Sequence, residues 1–449
     1  MTVSDATRTP LSLQQDFLCT LDKGDVTGAL GAKHIVLSAW RVRGPVDVDT
    51  LRAALLDLVE RHEMLRTEIV RGDEPFQVVH PAGPPRLVVE DLSGVGESDR
   101  DARAELFYSE VETADYPVRE LPHLRAALGR FAADDWVLAL VVHHIAADGW
   151  SMRVLIRDLA NRYAARRGHP VEDLPPVRQY REFVAEQPAT LTGPEVDRAA
   201  DYWRDKLAGA EITTVATDRP LREDVPAIYA DHRSLISAET TAATLRLAKA
   251  THCSPFMLYL GVFSVLLATK SHSRDVVVGT FSSGRGIGPY QDTIGAFLNF
   301  LPLRTDLTGA GTFRDVLERV RSTCLQAYVH DIPFPLIDQQ APDLIVPSAD
   351  RDIIAFEVLQ FPDGIDGTPI GDLTYLELRD RRVPRPVSCD IPDGALWALD
   401  VLPGVGTVSS LKFNTHLYDP DTMWTLVQDY VNTLTRCVSS PDTPLWGDA

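Results

Sequence analysis

Ten residues, "DWVLALVVHH" (135–144), restrict the possible folds of this chain more than any other stretch. Val137 through Val142 are all apolar, so a strand built from them has no face suited to water. Side chains alternate across a strand, and a strand apolar on both sides belongs in the middle of a covered sheet. Alternation puts Leu138, Leu140, Val142 and His144 on one face and Val137, Ala139, Val141 and His143 on the other. The two histidines therefore cannot do the same job. "IAADG" (145–149) then turns the chain, with Gly149 free to adopt a backbone geometry that other residues resist. A base at the end of a strand, beside a tight turn, is held rigidly yet remains reachable. A lone histidine would read as a satisfied core group. His-His-x-x-x-Asp-Gly at a strand-to-helix junction reads as chemistry.

The flanking pattern is mixed. "HIVLSAWRVRG" (34–44) reads as a strand rich in β-branched and aromatic residues. "DTLRAALLDLVERHEMLRT" (49–67) reads as one helix with Leu51, Leu55, Leu58 and Val59 on a single face behind an Asp cap. "SMRVLIRDLANRYAARRG" (151–168) reads as a helix stopped by Gly168. "SPFMLYLGVFSVLLATK" (254–270) opens on a Ser-Pro cap and is apolar nearly all round, the mark of a buried helix. "DVVVGTFSSGRGIG" (275–288) is a strand entering a glycine-rich turn. It lacks a Walker or dinucleotide pattern. Strands and helices interleave in both halves, so the class is α/β or α+β with two lobes. The Pro-rich stretch "DLPPVRQ" (173–179) divides them, giving an N-terminal lobe over 1–178 and a C-terminal lobe over 179–449.

Composition narrows function. The 449 residues carry a formal charge of −20, which repels phosphate and argues against general binding to nucleic acid or anionic membranes. The longest apolar run, 256–268, is too short to span a bilayer, and the N-terminal "MTVSDATRTP" has no apolar core. Five cysteines, never spaced as CxxC, read as reduced thiols in a cytoplasmic protein with no zinc site. Two arginine groups stand out: Arg153, Arg157, Arg162, Arg166 and Arg167, and then Arg379, Arg381, Arg382 and Arg385. Each is either a solvated face or a contact for an acidic partner, with Arg153, Arg157, Arg381 and Arg382 the candidates for the second role.

"HHIAADGWS" (143–151) resembles the core motif of nonribosomal peptide synthetase condensation domains, within the chloramphenicol-acetyltransferase-like superfamily. Four other stretches resemble further motifs of that family in the same order: "RHEMLRTEI" (61–69), "IGAFLNFLPLR" (294–304), "HDIPFPLI" (330–337) and "LKFNTHLYD" (411–419). The first family motif is altered in "LSLQQDFLCTLD" (11–22), which keeps Gln15 but lacks a tryptophan, and another is barely visible in "SADRDIIAFEVLQF" (348–361). The resemblance implies two chloramphenicol-acetyltransferase-like lobes in a V-shaped pseudodimer, with a central tunnel and segments crossing back to the first lobe. It implies acyl transfer from a phosphopantetheine thioester on a peptidyl carrier protein to an amine or alcohol, small or carrier-bound, with no cofactor held by the enzyme itself. His144 is then the catalytic position, His143 its neighbour, and the Gly149 N–H a candidate oxyanion donor. Asp148 is expected to pair with Arg285 and brace the loop. Arg66 and His62 read equally as a solvated helix face or as a tie beside the tunnel, while Asn299 reads as satisfying buried polar groups.

Two rival readings remain: an acyl-CoA-dependent O- or N-acyltransferase of the same superfamily, and a non-catalytic module that docks on a carrier. Intact His143, His144 and Asp148 argue against the second. A free-standing enzyme and a domain cut from a larger synthetase fit the chain ends equally.

Overall fold

The strand Asp135–His143 is buried at every position and lies inside a six-stranded sheet. The sheet order is Pro369–Ile370, Leu373–Glu377, Ile35–Arg43, Asp135–His143, Leu124–Ala132 and Arg86–Asp91. All neighbours are antiparallel except the last pair. The computed structural model describes residues 8–222, 225–286, 288–345, 351–359 and 364–446.

Alternation along the central strand sorts its packing. Trp136, Leu138, Leu140 and Val142 join one core with Leu51, Leu55, Leu58 and Val59 of the helix Val48–Arg61 and with Leu155, Leu159 and Tyr163 of the helix Gly149–Arg166. The helix Arg100–Glu112 packs on the strands Ile35–Arg43, Leu124–Ala132 and Asp135–His143 as well. Burying a leucine-sized side chain contributes about 1.5–3 kcal/mol, so this strand anchors the unit.

Several expectations are corrected. The helix expected over 49–67 ends at Arg61; a 3-10 turn, Glu63–Arg66, and a strand, Thr67–Val70, follow it. His62 takes extended backbone there because its ring is drawn into the interior against Asp158, at 3.0 Å. The cap is Asp47, whose side chain accepts from Thr50 N. Gly149 does not shape the turn with an unusual backbone: it is the first residue of the helix Gly149–Arg166, capped by Asp148.

The chain divides into two units, Met1–Thr190 with Ser283–Leu298 and Phe361–Leu378, and Leu191–Ser282 with Asn299–Gln360 and Arg379–Ala449. The division thus falls after the helix Tyr180–Thr190 and not at the Pro-rich stretch before it. Tyr180 and Val184 of that helix are buried in the first unit's core, and Tyr180 donates its hydroxyl to Ala296 O at 2.9 Å. Two later segments return to the first unit, one of them adding the strand Leu373–Glu377 beside Ile35–Arg43.

In the second unit a four-stranded sheet runs Ile354–Leu359, Ala395–Leu402, Gly406–Asn414 and Tyr229–Ser237. The helix Pro255–Ser271 starts at a Ser254 cap and is buried along most of its length against the helices Phe313–Val329 and Pro420–Ser439. No single described helix is long and apolar enough to cross a membrane.

Candidate active site at the end of the central strand

Ladder pairing sets the two histidines. Ile35 lies opposite His143, and one step further on the His144 N–H donates to His34 O at 2.9 Å. The His143 ring is buried, with Nε2 3.0 Å from Gly31 O and Nδ1 accepting from Ile145 N–H at 3.3 Å. One nitrogen must donate and the other accept, which specifies the neutral ring protonated on Nε2. Burial, and then the neighbouring imidazoles of His34 and His123, hold its pKa well below the ordinary histidine value. His143 is therefore a fixed, uncharged strut. His144 is half-buried and stacks on His34, with ring centroids 4.8 Å apart and planes 15° apart. Of the two, His144 is the one solvent reaches.

Asp148 is 1% exposed and serves several donors at once. Its Oδ1 accepts from Ser151 N and Ser151 Oγ, each at 2.7 Å, and from Arg285 Nη2 at 2.9 Å. Its Oδ2 accepts from Arg285 Nη2 at 3.1 Å and Phe297 N at 3.2 Å. Arg285 in turn donates through Nη1 to Tyr290 O and Thr293 O, and lies 4.1 Å over the Phe297 ring. A buried carboxylate so saturated braces the loop between strand and helix. It also leaves the Gly149 N–H at the first turn of a capped helix, where a backbone N–H lacks an intrahelical acceptor and the helix dipole favours negative charge.

The remaining expected residues each have partners of their own. Arg66 donates Nε to Val59 O at 3.2 Å and Nη1 to His80 O, tying the end of the helix Val48–Arg61 to the strand Phe76–Val79. His62 faces Asp158, which hydrogen bonds with His62 and charges on Arg157 hold at about 2 against the opposing effect of burial. Asn299 lies in the second unit, where Nδ2 donates to Asp331 Oδ1 and Ile332 O while Oδ1 accepts from Phe334 N.

Arg153 pairs with Glu377, and Arg157 with Asp158 and Asp292. Arg382 pairs with Asp380, and the Arg381 N–H donates to Arg379 O. Arg153, Arg157 and Arg382 thus already hold acidic partners within their own units. Glu377 and Asp292 arrive on the two returning segments, a pairing that spacing along the sequence does not display. His34 and Ser151 were missed as site residues. The signal for His34 was the antiparallel pairing of two recognised strands, and for Ser151 its place three residues after a capping aspartate.

A two-unit mixed α and β chain, with paired histidines ending a central strand before a braced helix, has the chloramphenicol-acetyltransferase-like fold of condensation domains. The condensation domain family model matches residues 32–344, and the chain belongs to that family. It is 34% identical, over 98% of its length, to a probable non-canonical nonribosomal peptide synthetase, CymA, of Salinispora arenicola. It is 32% identical, over 97% of its length, to a linear gramicidin synthase of Brevibacillus parabrevis. The chain spans 6% of the length of each of these relatives.

Among solved structures, the SgcC5 protein of Streptomyces globisporus matches with a TM-score of 0.94 at 40% identity, covering 97% of this chain and 100% of that one. That protein was captured with 1-(2-naphthyl)-1,2-ethanediol and sucrose. The X-domain from teicoplanin biosynthesis matches with a TM-score of 0.77 at 26% identity, covering 99% of this chain and 98% of that one.

Proposed function

We propose that the chain transfers an acyl or aminoacyl group from a phosphopantetheine thioester on a peptidyl carrier protein to an alcohol, forming an ester. The observation that carries it is the division of labour between a buried, neutral His143 and a solvent-reachable His144 on a rigid strand end. His144 takes the acceptor's proton as its oxygen attacks the thioester carbonyl. Carbon–oxygen bond formation gives a tetrahedral oxyanion, which the Gly149 N–H at the helix start stabilises. Collapse breaks the carbon–sulfur bond, and the leaving thiolate recovers the proton from His144. No nucleophilic side chain intervenes, because the acceptor attacks directly. An alcohol is favoured over an amine because a relative 40% identical over nearly the whole chain was captured with a vicinal diol.

The test supplies an aminoacyl-loaded carrier protein and 1-(2-naphthyl)-1,2-ethanediol, and looks for ester by mass spectrometry. The same acyl group as its CoA thioester and an amine acceptor serve as the competing arms. Ester from the carrier arm supports the reading. Turnover of acyl-CoA alone makes the chain an acyl-CoA acyltransferase, and amide alone changes the acceptor class. The likeness to an X-domain, a member of the same fold captured elsewhere with the protein OxyB, supports a second reading as a docking module. Carrier binding without turnover in any arm would select it.

A further inference from the structure

We propose that His34 is a positioning residue for His144, holding its ring at the angle from which it takes the acceptor's proton; the inference rests on the catalytic reading of His144. The two residues are neighbours across the ladder, one step beyond the Ile35–His143 pair, and the His144 N–H donates to His34 O at 2.9 Å. Their rings lie nearly parallel, 4.8 Å between centroids and 15° between planes. Directly opposed side chains in antiparallel strands are close enough for such a contact. His34 is itself immobilised: it is 3% exposed, and its Nδ1 lies 2.9 Å from Ala29 O. That carbonyl only accepts, so Nδ1 carries the proton and the ring cannot rotate without losing the bond.

The consequence is geometric. A half-buried imidazole at a strand end has more than one rotamer open to it. A fixed aromatic plate against one face removes the alternatives and leaves the edge of the ring to the acceptor. His143 cannot supply this restraint, since its ring is turned into the core and bonded to Gly31 O. Neither can His123, whose Nε2 is committed to Thr67 O at 2.8 Å. Proton transfer is steeply sensitive to placement, and an error of about 1 Å can cost about 10²-fold in rate.

The test compares His34→Ala with His34→Phe. Phenylalanine keeps the aromatic plate and loses the bond to Ala29 O, so it separates stacking from stability. Both variants should melt below wild type. With an aminoacyl-loaded carrier protein and 1-(2-naphthyl)-1,2-ethanediol, His34→Ala should lower kcat by about 10–100-fold with little change in KM, and His34→Phe should recover most of that loss. A second readout requires no substrate. In protein with labelled histidine, the His144 ring-proton resonance should carry a ring-current shift in wild type and in His34→Phe, and lose it in His34→Ala. A folded His34→Ala variant with wild-type kcat, or an unmoved His144 resonance, overturns the proposal. Wild-type turnover by His144→Ala would instead overturn the catalytic reading beneath it, so the two failures are distinct.

Discussion

Arg285 and Asp148, 137 residues apart in sequence, meet 2.9 Å from each other with both side chains only 1% exposed. Every oxygen of the carboxylate and both terminal nitrogens of the guanidinium are engaged. Removing one partner of such a pair strands the other charge away from water.

Asp148→Ala and Arg285→Ala should each destabilise the fold by about 3–5 kcal/mol, whereas the double variant should cost less than their sum. Asp148→Ala also removes the helix cap, so it should be the more damaging of the two. Urea unfolding of the four proteins checks this. Additive losses would mean that the two residues act independently and that Asp148 has another task.

His144→Ala should lower acyl transfer by about 10²–10⁴-fold while leaving the melting temperature near wild type, because the ring is only half-buried. Thermal unfolding and single-turnover transfer measured on the same preparation separate the two effects. His143→Ala should behave oppositely and lose stability first, since it leaves the buried Ile145 N–H without its acceptor and takes one of two donors from Gly31 O, which keeps the His34 N–H.

Acid should weaken the fold through its buried neutral histidines. Burial holds His143 and His62 below the ordinary value and takes His123 to about 4. Below about pH 6.5 the unfolded chain binds these protons and the folded chain does not, so stability is full above that pH and falls as pH drops. Each such group contributes a slope of up to about 1.4 kcal/mol per pH unit until its folded pKa is reached. For His123 the window runs from the unfolded value down to about 4. Melting temperature measured from pH 7 to pH 4.5 should fall, and His123→Gln should fall less steeply. Parallel curves would show that His123 does not carry its share.

Asn299→Ala should destabilise the second unit by about 1–3 kcal/mol, because the buried Phe334 N–H loses its acceptor and Ile332 O its donor. Asn299→Asp should restore the acceptor but set a second carboxylate beside Asp331, whose own pKa is already pushed up by burial. Its deficit should therefore grow as pH rises. A pH-independent deficit would argue against contact with an ionised Asp331.

Local features were legible along the chain because their causes are local. The double-faced apolar run made Asp135–His143 an interior strand, and alternation put His143 and His144 on opposite faces, while the catalytic position of His144 came from the resemblance. The Ser254 cap ahead of Pro255 and the apolar circumference of the helix behind it did the same for Pro255–Ser271. The pairing of Asp148 with Arg285 came from resemblance to the condensation domains, since nothing in the spacing relates the two.

Other features were decided only by tertiary structure. The helix that periodicity continues to residue 67 stops at Arg61, because burying His62 against Asp158 outweighs helix propensity. Arg153 and Arg157 look available for a partner until returning segments bring Glu377 and Asp292 to them. His34 is an ordinary strand start in sequence and becomes the plate beneath His144 once the ladder is in register. Period and capping are short-range and can be read in a window of residues. Charge pairing and ring stacking join residues across the fold, and only the folded chain says which ones meet.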